Sequence, residues 1–316
     1  MDLRVLVVNA GSTSLKLSVV SGDDESEPVE SLEAAPPVDA VAHRIVHGGE
    51  RFREPVLIDE EVEHELEALV ALAPLHNTPA LRALADARRV LPDVPHVAVF
   101  DTGFHRTIPP VASTYALPRR FREQGIRRFG FHGLSVQWAA EQVPVPRLVV
   151  CHLGGGCSVT AVRDGRSVDT TMGFSPLEGV PMATRSGSVD PGALLYLLQT
   201  GTPLDELDHA LEYESGLAGL SGGSGDVRDL ESSDDPAAQL ALEVYAYRIA
   251  GAVAAMAAAL GGLDALVFTA GVGEHSARVR DAVCDRLRFL GDFRVEVVAA
   301  REDLVAARAA RALLVG

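Results

Sequence analysis

Apolar residues fall along this chain in two alternating patterns: short unbroken runs that suit buried strands, and longer stretches at helical spacing. Residues 3–8 and 15–20 are apolar runs around the polar turn Asn9-Ala10-Gly11-Ser12-Thr13-Ser14 and read as strand, tight turn, strand. Residues 148–151 and 158–163 repeat that plan around His152-Leu153-Gly154-Gly155-Gly156. Asp164-Gly165 then signals a hairpin into a further strand at 166–170, because such two-residue turns favour residues that tolerate positive φ. Helical spacing predicts helices over 62–72, 79–90, 134–142, 193–199, 237–260, 278–290 and 302–313, with buried strands at 97–100 and 265–269. Residues 23–37, acidic and proline-bearing, read as a surface loop, and Asn77 or Thr78 as the N-cap of the helix from 79.

Two similar halves, each opening on a glycine-rich hairpin, predict a duplicated α/β fold with a cleft between its domains. Val143-Pro144-Val145-Pro146 interrupts helical pattern ahead of the second hairpin. The expected domains are therefore 1–145 and 146–301, with the helical tail, 302–316, packing back on the first.

Composition narrows the class. The chain has 316 residues, of which 47% are hydrophobic and 23% charged, enough for two globular domains. Its net charge of −16 argues against nucleic acid as a partner, so a phosphorylated ligand must be caught by local positive charge. The longest apolar stretch, 249–263, is rich in Ala and Gly, too short for a bilayer, and reads as a buried helix. The N-terminus has no signal-peptide layout, and Cys151, Cys157 and Cys284 form no metal-ligand spacing. The expectation is a cytoplasmic protein with reduced thiols and no membrane association.

Lys16 is the one lysine, every other basic residue being arginine, and Asn9 is one of two asparagines; they close and open the same turn. Arginine is a poor substitute for lysine where a compact, strongly hydrated charge must sit beside a phosphate. Asn9, Ser12, Ser14 and Lys16 thus supply the amide, hydroxyl and ammonium groups of a phosphate and Mg²⁺ site. Arg44, ending a strand beside Gly48 and Gly49, can clamp a carboxylate or phosphate, or be an ordinary surface arginine. Asp101 follows a strand, where open sheets bind ligands, or else caps a turn. His132, framed by Phe129-Gly130-Phe131 and Gly133, can donate to a phosphoryl oxygen or serve only structure. The small-residue loops at 152–156, 184–187, 221–226 and 269–274 are weak signals singly, but they are spread over the chain. The last follows a strand and precedes a helix, which suits a nucleotide.

Taken in order, VLVVNAGSTSLKLSVV, HRIVHGGE, LAPLHNTPAL, VAVFDTGFHRTIP, YALPRRF, GIRRFGFHG, VVCHLGGGCS, DGRSVDTTMGFSPLEGVPMATRSG, SGLAGLSG, LALEVYAYR and FTAGVGEHS resemble the acetate kinase family of short-chain carboxylate kinases. That family lies in the actin and sugar-kinase superfamily, so the resemblance implies duplicated actin-like ATPase (ribonuclease H-like) domains with nucleotide in the interdomain cleft. It implies reversible, in-line transfer of the ATP γ-phosphoryl to acetate, with ADP and acetyl phosphate as products. Mg²⁺ is the implied metal, with Mn²⁺ as a substitute, and the implied assembly is a homodimer.

By the same resemblance Asn9 and Glu302 belong to the metal shell, and Ser12, Ser14 and Lys16 to the phosphate site. Arg44 and Arg185 grip carboxylate and transferring phosphoryl, Asp101 orients substrate or metal shell, and His132 stabilises developing charge. Val46, Leu75 and Pro181 line a pocket for the acid's alkyl end. His152, Gly154, Gly155 and Gly156 meet phosphate, Asp226 and Arg228 the nucleoside, and Gly271 and Gly273 the nucleotide phosphates. The chain departs from the family on the nucleotide side, where Gly155 replaces an asparagine. His275, Leu134, Val136, Ser188 and Arg301 depart as well, in a shortened chain. These departures keep open the phosphoryl donor, ATP or pyrophosphate, and the rate more than the acceptor; a propionate or butyrate kinase and a catalytically silent nucleotide-binding relative stand as further alternatives.

Overall fold

In the computed structural model the described residues are 3–11, 15–72 and 74–316, with the side chains of 71, 72 and 74–76 outside the description. The chain folds into two compact units. The first comprises Met1–Arg106, Phe131–Trp138 and Arg301–Gly316, and the second Thr107–Gly130 and Ala139–Ala300.

The first unit is built on a sheet of β1 (Val5–Ala10), β2 (Leu15–Val20), β3 (Ser26–Val29), β4 (Ala40–Ile45), β5 (Val56–Leu57) and β6 (His96–Phe100), in the order β3-β2-β1-β4-β6-β5. β1, β2 and β3 form an antiparallel meander, after which β4 runs parallel to β1 and β6 parallel to β4. The second unit repeats this with β7 (Arg147–Leu153), β8 (Cys157–Arg163), β9 (Arg166–Thr170), β10 (Ala265–Thr269) and β11 (Arg294–Val297), in the order β11-β10-β7-β8-β9. Again three antiparallel strands are followed by two parallel ones. This is the duplicated actin-like, ribonuclease H-like arrangement. Asp164 and Gly165, at φ 48° and 74°, make the tight turn between β8 and β9.

Side-chain alternation sorts the first sheet into two faces. Leu6, Val8 and Ala10 of β1 join Leu66, Ala83, Leu84 and Ala87 under the helices Glu60–Ala68 and Pro74–Val90. Val5 and Val7 face the other way, with Ala40, Ala42, Val97 and Val99. There they meet Leu304, Val305, Ala307 and Ala310 of the C-terminal helix Glu302–Val315. That docking brings residues from the far end of the chain to the edge of β1 and β4.

In the second unit the helix Pro236–Leu260 is long and apolar enough to cross a membrane by length and composition alone. It instead packs across β7, β8 and β9, with Tyr245, Ile249 and Val253 fully buried. Asp235 caps its start and Gly261, at φ 73°, ends it.

Local differences from the sequence reading have identifiable causes. Residues 23–37 contain β3, an edge strand, and Pro28 is tolerated there because an edge has one side free of ladder bonds. Asn77 is not an N-cap. The helix begins at Pro74, and the Asn77 amide accepts from the His47 N–H at 3.2 Å and donates to the His47 carbonyl at 3.2 Å. The helices expected at 62–72 and 278–290 each close in a 3₁₀ turn, Leu69–Leu72 and Arg288–Leu290. The units also divide differently from a single cut at 145. Residues 107–130 join the second unit, where the Thr107 hydroxyl donates to the Ser167 carbonyl and the Phe129 N–H to the Gly173 carbonyl.

Candidate active site

Three neighbouring strands of the first sheet end together. Asn9 lies near the end of β1, Arg44 near the end of β4, opposite Asn9 in register, and Asp101 directly follows β6. The carboxyl ends of parallel strands are where open α/β sheets present ligand-binding groups. The Asp101 N–H donates to the Ile45 carbonyl at 3.0 Å, which fixes the chain as it leaves β6.

The four polar groups meet in one cluster. Arg44 grips Asp101 at two points, Nε to Oδ1 at 2.9 Å and Nη2 to Oδ2 at 2.6 Å. Its Nη1 donates to Asn9 Oδ1 at 2.9 Å and lies 3.3 Å from Glu302 Oε2. Asn9 Nδ2 closes the ring by donating to Glu302 Oε2 at 3.0 Å. Glu302 arrives in the first turn of the C-terminal helix, where a carboxylate is favoured by the helix dipole.

Burial pushes the Asp101 carboxyl up from its usual range, Glu302 adds to that, and Arg44 and the His132 backbone N–H pull it back. Burial would lower Arg44, but the Asp101 and Glu302 carboxylates outweigh it and hold the guanidinium above its ordinary value. Arg44 therefore stays a fixed cation, and the surface-arginine reading does not hold. His132 sits at φ 59°, a left-handed conformation that costs a side-chain-bearing residue energy unless it is locked in place. The lock is adjacent: the Gly133 N–H donates to the Asp101 carbonyl at 3.0 Å, and a Cβ at Gly133 would overlap that carbonyl. Val46 is buried just past β4, and Lys16 is exposed on β2, opposite Asn9 in register. Ser12 and Ser14 lie outside the described residues, as does the Leu75 side chain.

In the second unit, Arg185 lies in a half-buried turn. Its Nη1 donates to the Pro176 carbonyl at 3.1 Å and its Nε lies 3.5 Å from Glu212 Oε2. Burial lowers the Arg185 pKa, partly offset by Glu212, and burial raises that of Glu212. The Ala183 N–H donates to the Gly155 carbonyl at 3.3 Å, so this turn touches the glycine loop after β7. His152 is buried in register with Thr269. A Cβ on Gly154 would stand 3.5 Å from that of Ala270, whereas Gly155 has open space around it. Gly156 closes the loop by accepting from the Gly154 N–H at 3.0 Å.

Gly271 and Gly273 precede the helix Ala277–Asp285 as expected, and themselves lie in a short helix, Ala270–His275, that starts directly from β10 with Ala270 at φ 66°. Asp226 caps the helix Val227–Glu231, and its carboxylate also pairs with Arg228. The Arg228 N–H bond and guanidinium together pull the Asp226 pKa down to about 2. Pro181 is buried and lines a cavity of about 1150 Å³ with Arg128, Glu178 and Tyr247. Glu212, Tyr115 and Arg128 were not singled out from the sequence: Tyr115 and Arg128 lie in stretches that carry the resemblance, but their partners are distant in sequence.

The sequence profile of the acetokinase family matches residues 29–313. An acetate kinase of Nostoc punctiforme is 50% identical, the match covering 85% of this chain and 69% of that protein. One of a Synechococcus species is 46% identical, over 90% of this chain and 79% of its own length. Among solved structures, a propionate kinase of Francisella tularensis superposes with a TM-score of 0.90 at 31% identity, covering 97% of this chain and 98% of that one. The acetate kinase of Porphyromonas gingivalis gives 0.85 at 32%, covering 99% and 100%.

Proposed function

Since this chain belongs to the acetokinase family, and so is a phosphotransferase with a carboxyl group as acceptor, we propose how its residues divide the work of moving the ATP γ-phosphoryl to acetate. The observation that carries the reading is the Asn9–Arg44–Asp101–Glu302 ring at the ends of β1, β4 and β6. In-line phosphoryl transfer asks little covalent chemistry of a protein; it asks for held reactants and neutralised charge. Arg44, fixed by Asp101 at two points, is a preorganised cation for an anionic oxygen, and Arg185 is the corresponding cation of the second unit. Lys16, Ser12 and Ser14 serve the transferred phosphate, and His132, anchored through its neighbour Gly133, donates to charge that develops on it. Val46, Leu75 and Pro181 receive the alkyl end of the acid. On the nucleotide side, His152, Gly154, Gly155, Gly156, Gly271 and Gly273 offer backbone to phosphates, with Asp226 and Arg228 at the nucleoside.

The donor set suits Mg²⁺, with Mn²⁺ as a substitute. Asn9 Oδ1 and Glu302 Oε2 are hard oxygen donors that both lie against Arg44 Nη1, and Mg²⁺ takes one or two such ligands while keeping waters and phosphate oxygens. Among the described residues no group of three or more His, Cys, Asp or Glu could form an all-protein cage. The ion would supply charge neutralisation between phosphoryl oxygens. Arg44 Nη1 donates to Asn9 Oδ1 and lies 3.3 Å from Glu302 Oε2, which keeps both oxygens oriented.

The likeness to a propionate kinase structure favours a second reading, in which a longer acid is preferred. A hydrophobic pocket separates acids differing by one methylene only about 10- to 200-fold. Steady-state kcat/KM for acetate, propionate and butyrate, each with ATP and with pyrophosphate, tests both readings. Acetate with ATP is expected to lead. Preference for butyrate or pyrophosphate would replace the reading, and no product with any pair would indicate a silent nucleotide-binding relative. The protein is proposed to work in the cytoplasm as a homodimer. Leu195, Tyr196 and Leu204 of consecutive helices in the second unit are largely exposed and supply apolar area for a second copy.

A further inference from the structure

Tyr115, Arg128 and Glu178, given no part in the reaction so far, fasten the loop 170–178. Arg128 Nη1 donates to three successive carbonyls, Thr170 at 2.9 Å, Thr171 at 2.8 Å and Met172 at 3.1 Å. Its Nη2 donates to Glu178 Oε1 at 2.8 Å, so one guanidinium ties the first residues of the loop to its last. The Tyr115 hydroxyl donates to the other Glu178 oxygen and accepts from the Phe174 N–H at 2.9 Å. A side chain at Gly173 would overlap both Glu178 Oε2 and the Tyr115 hydroxyl, so the closure leaves no slack. The Phe129 N–H donates to the Gly173 carbonyl at 2.9 Å.

The middle of this loop is Pro176, and its carbonyl accepts from Arg185 Nη1 at 3.1 Å. Proline offers no N–H, so the carbonyl is the only backbone group through which this residue can act on a neighbour. Arg185 Nη1 donates to the Pro176 carbonyl, whose place is set by the loop, and also lies 3.7 Å from Met182 Sδ, while its Nε faces the Glu212 carboxylate at 3.5 Å, a looser ion pair. Of these contacts the carbonyl is the shortest, at hydrogen-bonding distance, and so constrains the direction of Nη1.

We propose that Tyr115, Arg128 and Glu178 are positioning residues for the phosphoryl transfer, acting on Arg185 through the Pro176 carbonyl. The inference rests on Arg185 being a catalytic cation. It assigns the three residues a catalytic consequence without contact with substrate. Loss of one loop fastening lets the carbonyl drift, and a guanidinium displaced by about 1 Å costs up to a hundredfold in rate.

A double-mutant cycle in the full chain tests this. Tyr115→Phe keeps the ring and its packing and removes only the hydroxyl. It is expected to lower kcat/KM for the carboxylate roughly tenfold or more, with Glu178→Gln doing the same. In an Arg185→Ala background, assayed at enzyme concentrations that resolve its residual rate, adding Tyr115→Phe is expected to change kcat/KM less than about twofold, because the two changes act on one group. Losses that multiply in the double variant, or a Tyr115→Phe enzyme equal to wild type, would overturn the proposal. An Arg185→Ala enzyme of undiminished activity would instead remove Arg185 from the site, and the positioning role with it. Arg185→Ala alone therefore separates the two failures.

Discussion

Arg44 and Asp101, 57 positions apart, form a two-point ion pair at the ends of adjacent strands, with Asp101 fully buried and Arg44 nearly so. A buried pair of this kind is costly to break from one side, because the remaining charge has no water to turn to. Arg44→Ala is expected to lower kcat by about 10²–10³-fold and to cost about 3–5 kcal/mol of stability. Chemical denaturation beside steady-state assay reads both. Arg44→Leu combined with Asp101→Leu is expected to regain much of the stability and none of the activity, which separates the pair's two roles.

Lys16 stands opposite Asn9 on β2 with its side chain exposed, so its identity matters little to folding. Lys16→Arg keeps the charge but replaces a compact ammonium with a broad planar fork. Turnover is expected to fall about tenfold or more while stability changes by less than about 0.5 kcal/mol, the usual range for surface changes. Equal kinetics in the variant would remove Lys16 from the phosphate site.

Gly155 has open space about it and does not adopt positive φ, so a larger residue fits without strain. The family resemblance places an asparagine there, with an amide directed at phosphate. Gly155→Asn is expected to raise kcat/KM for ATP by up to about tenfold, the scale of one hydrogen bond to a charged group, with unchanged thermal stability. A fall in kcat/KM would show that the glycine itself serves the donor.

His105 is buried, with Nε2 2.9 Å from the Phe131 carbonyl, and burial holds its pKa down at about 4, against a slight upward pull from that carbonyl. Burial also lowers His43 and His96, which share a hydrogen bond of 2.9 Å. Between pH 6.5 and 4 the unfolded chain binds a proton at His105 that the folded chain refuses, so stability falls as pH falls through that window, and His43 and His96 act in the same direction. The His105 contribution is about 3 kcal/mol, fully present above pH 6.5 and lost by pH 4. Unfolding free energies measured from pH 7 to 4, with His105→Asn as the comparison, check this; a slope unaltered in the variant would contradict it.

Much of this was legible in the sequence, and the part that was not has a physical pattern. The hairpins at 3–20 and 148–163 were readable because strand and turn signals are local, and β8–β9 followed from Asp164-Gly165. Asn9, Arg44 and Asp101 stood out because each ends an apolar run, yet their pairing is a property of strand order. Glu302 lies 293 positions from Asn9 and came from resemblance alone; only the docking of the C-terminal helix brings it to β1. β3 was missed because an edge strand with a proline shows little periodicity. Asn77 was misread because its partner, the backbone of His47, lies 30 positions away. Tyr115, Arg128 and Glu178 lie in stretches that carry the family resemblance, yet their joint role was not legible, since what they bind is backbone or one another, 50 and 63 positions apart.

The central claim is that the Asn9–Arg44–Asp101–Glu302 cluster serves phosphoryl transfer onto a carboxylate, and trapping the product tests it most directly. Enzyme incubated with acetate, ATP, Mg²⁺ and hydroxylamine is expected to yield acetyl hydroxamate and ADP in equal amounts, dependent on acetate, with the rate collapsing in Arg44→Ala. ADP released without hydroxamate, or hydroxamate formed equally fast by Arg44→Ala, would contradict it.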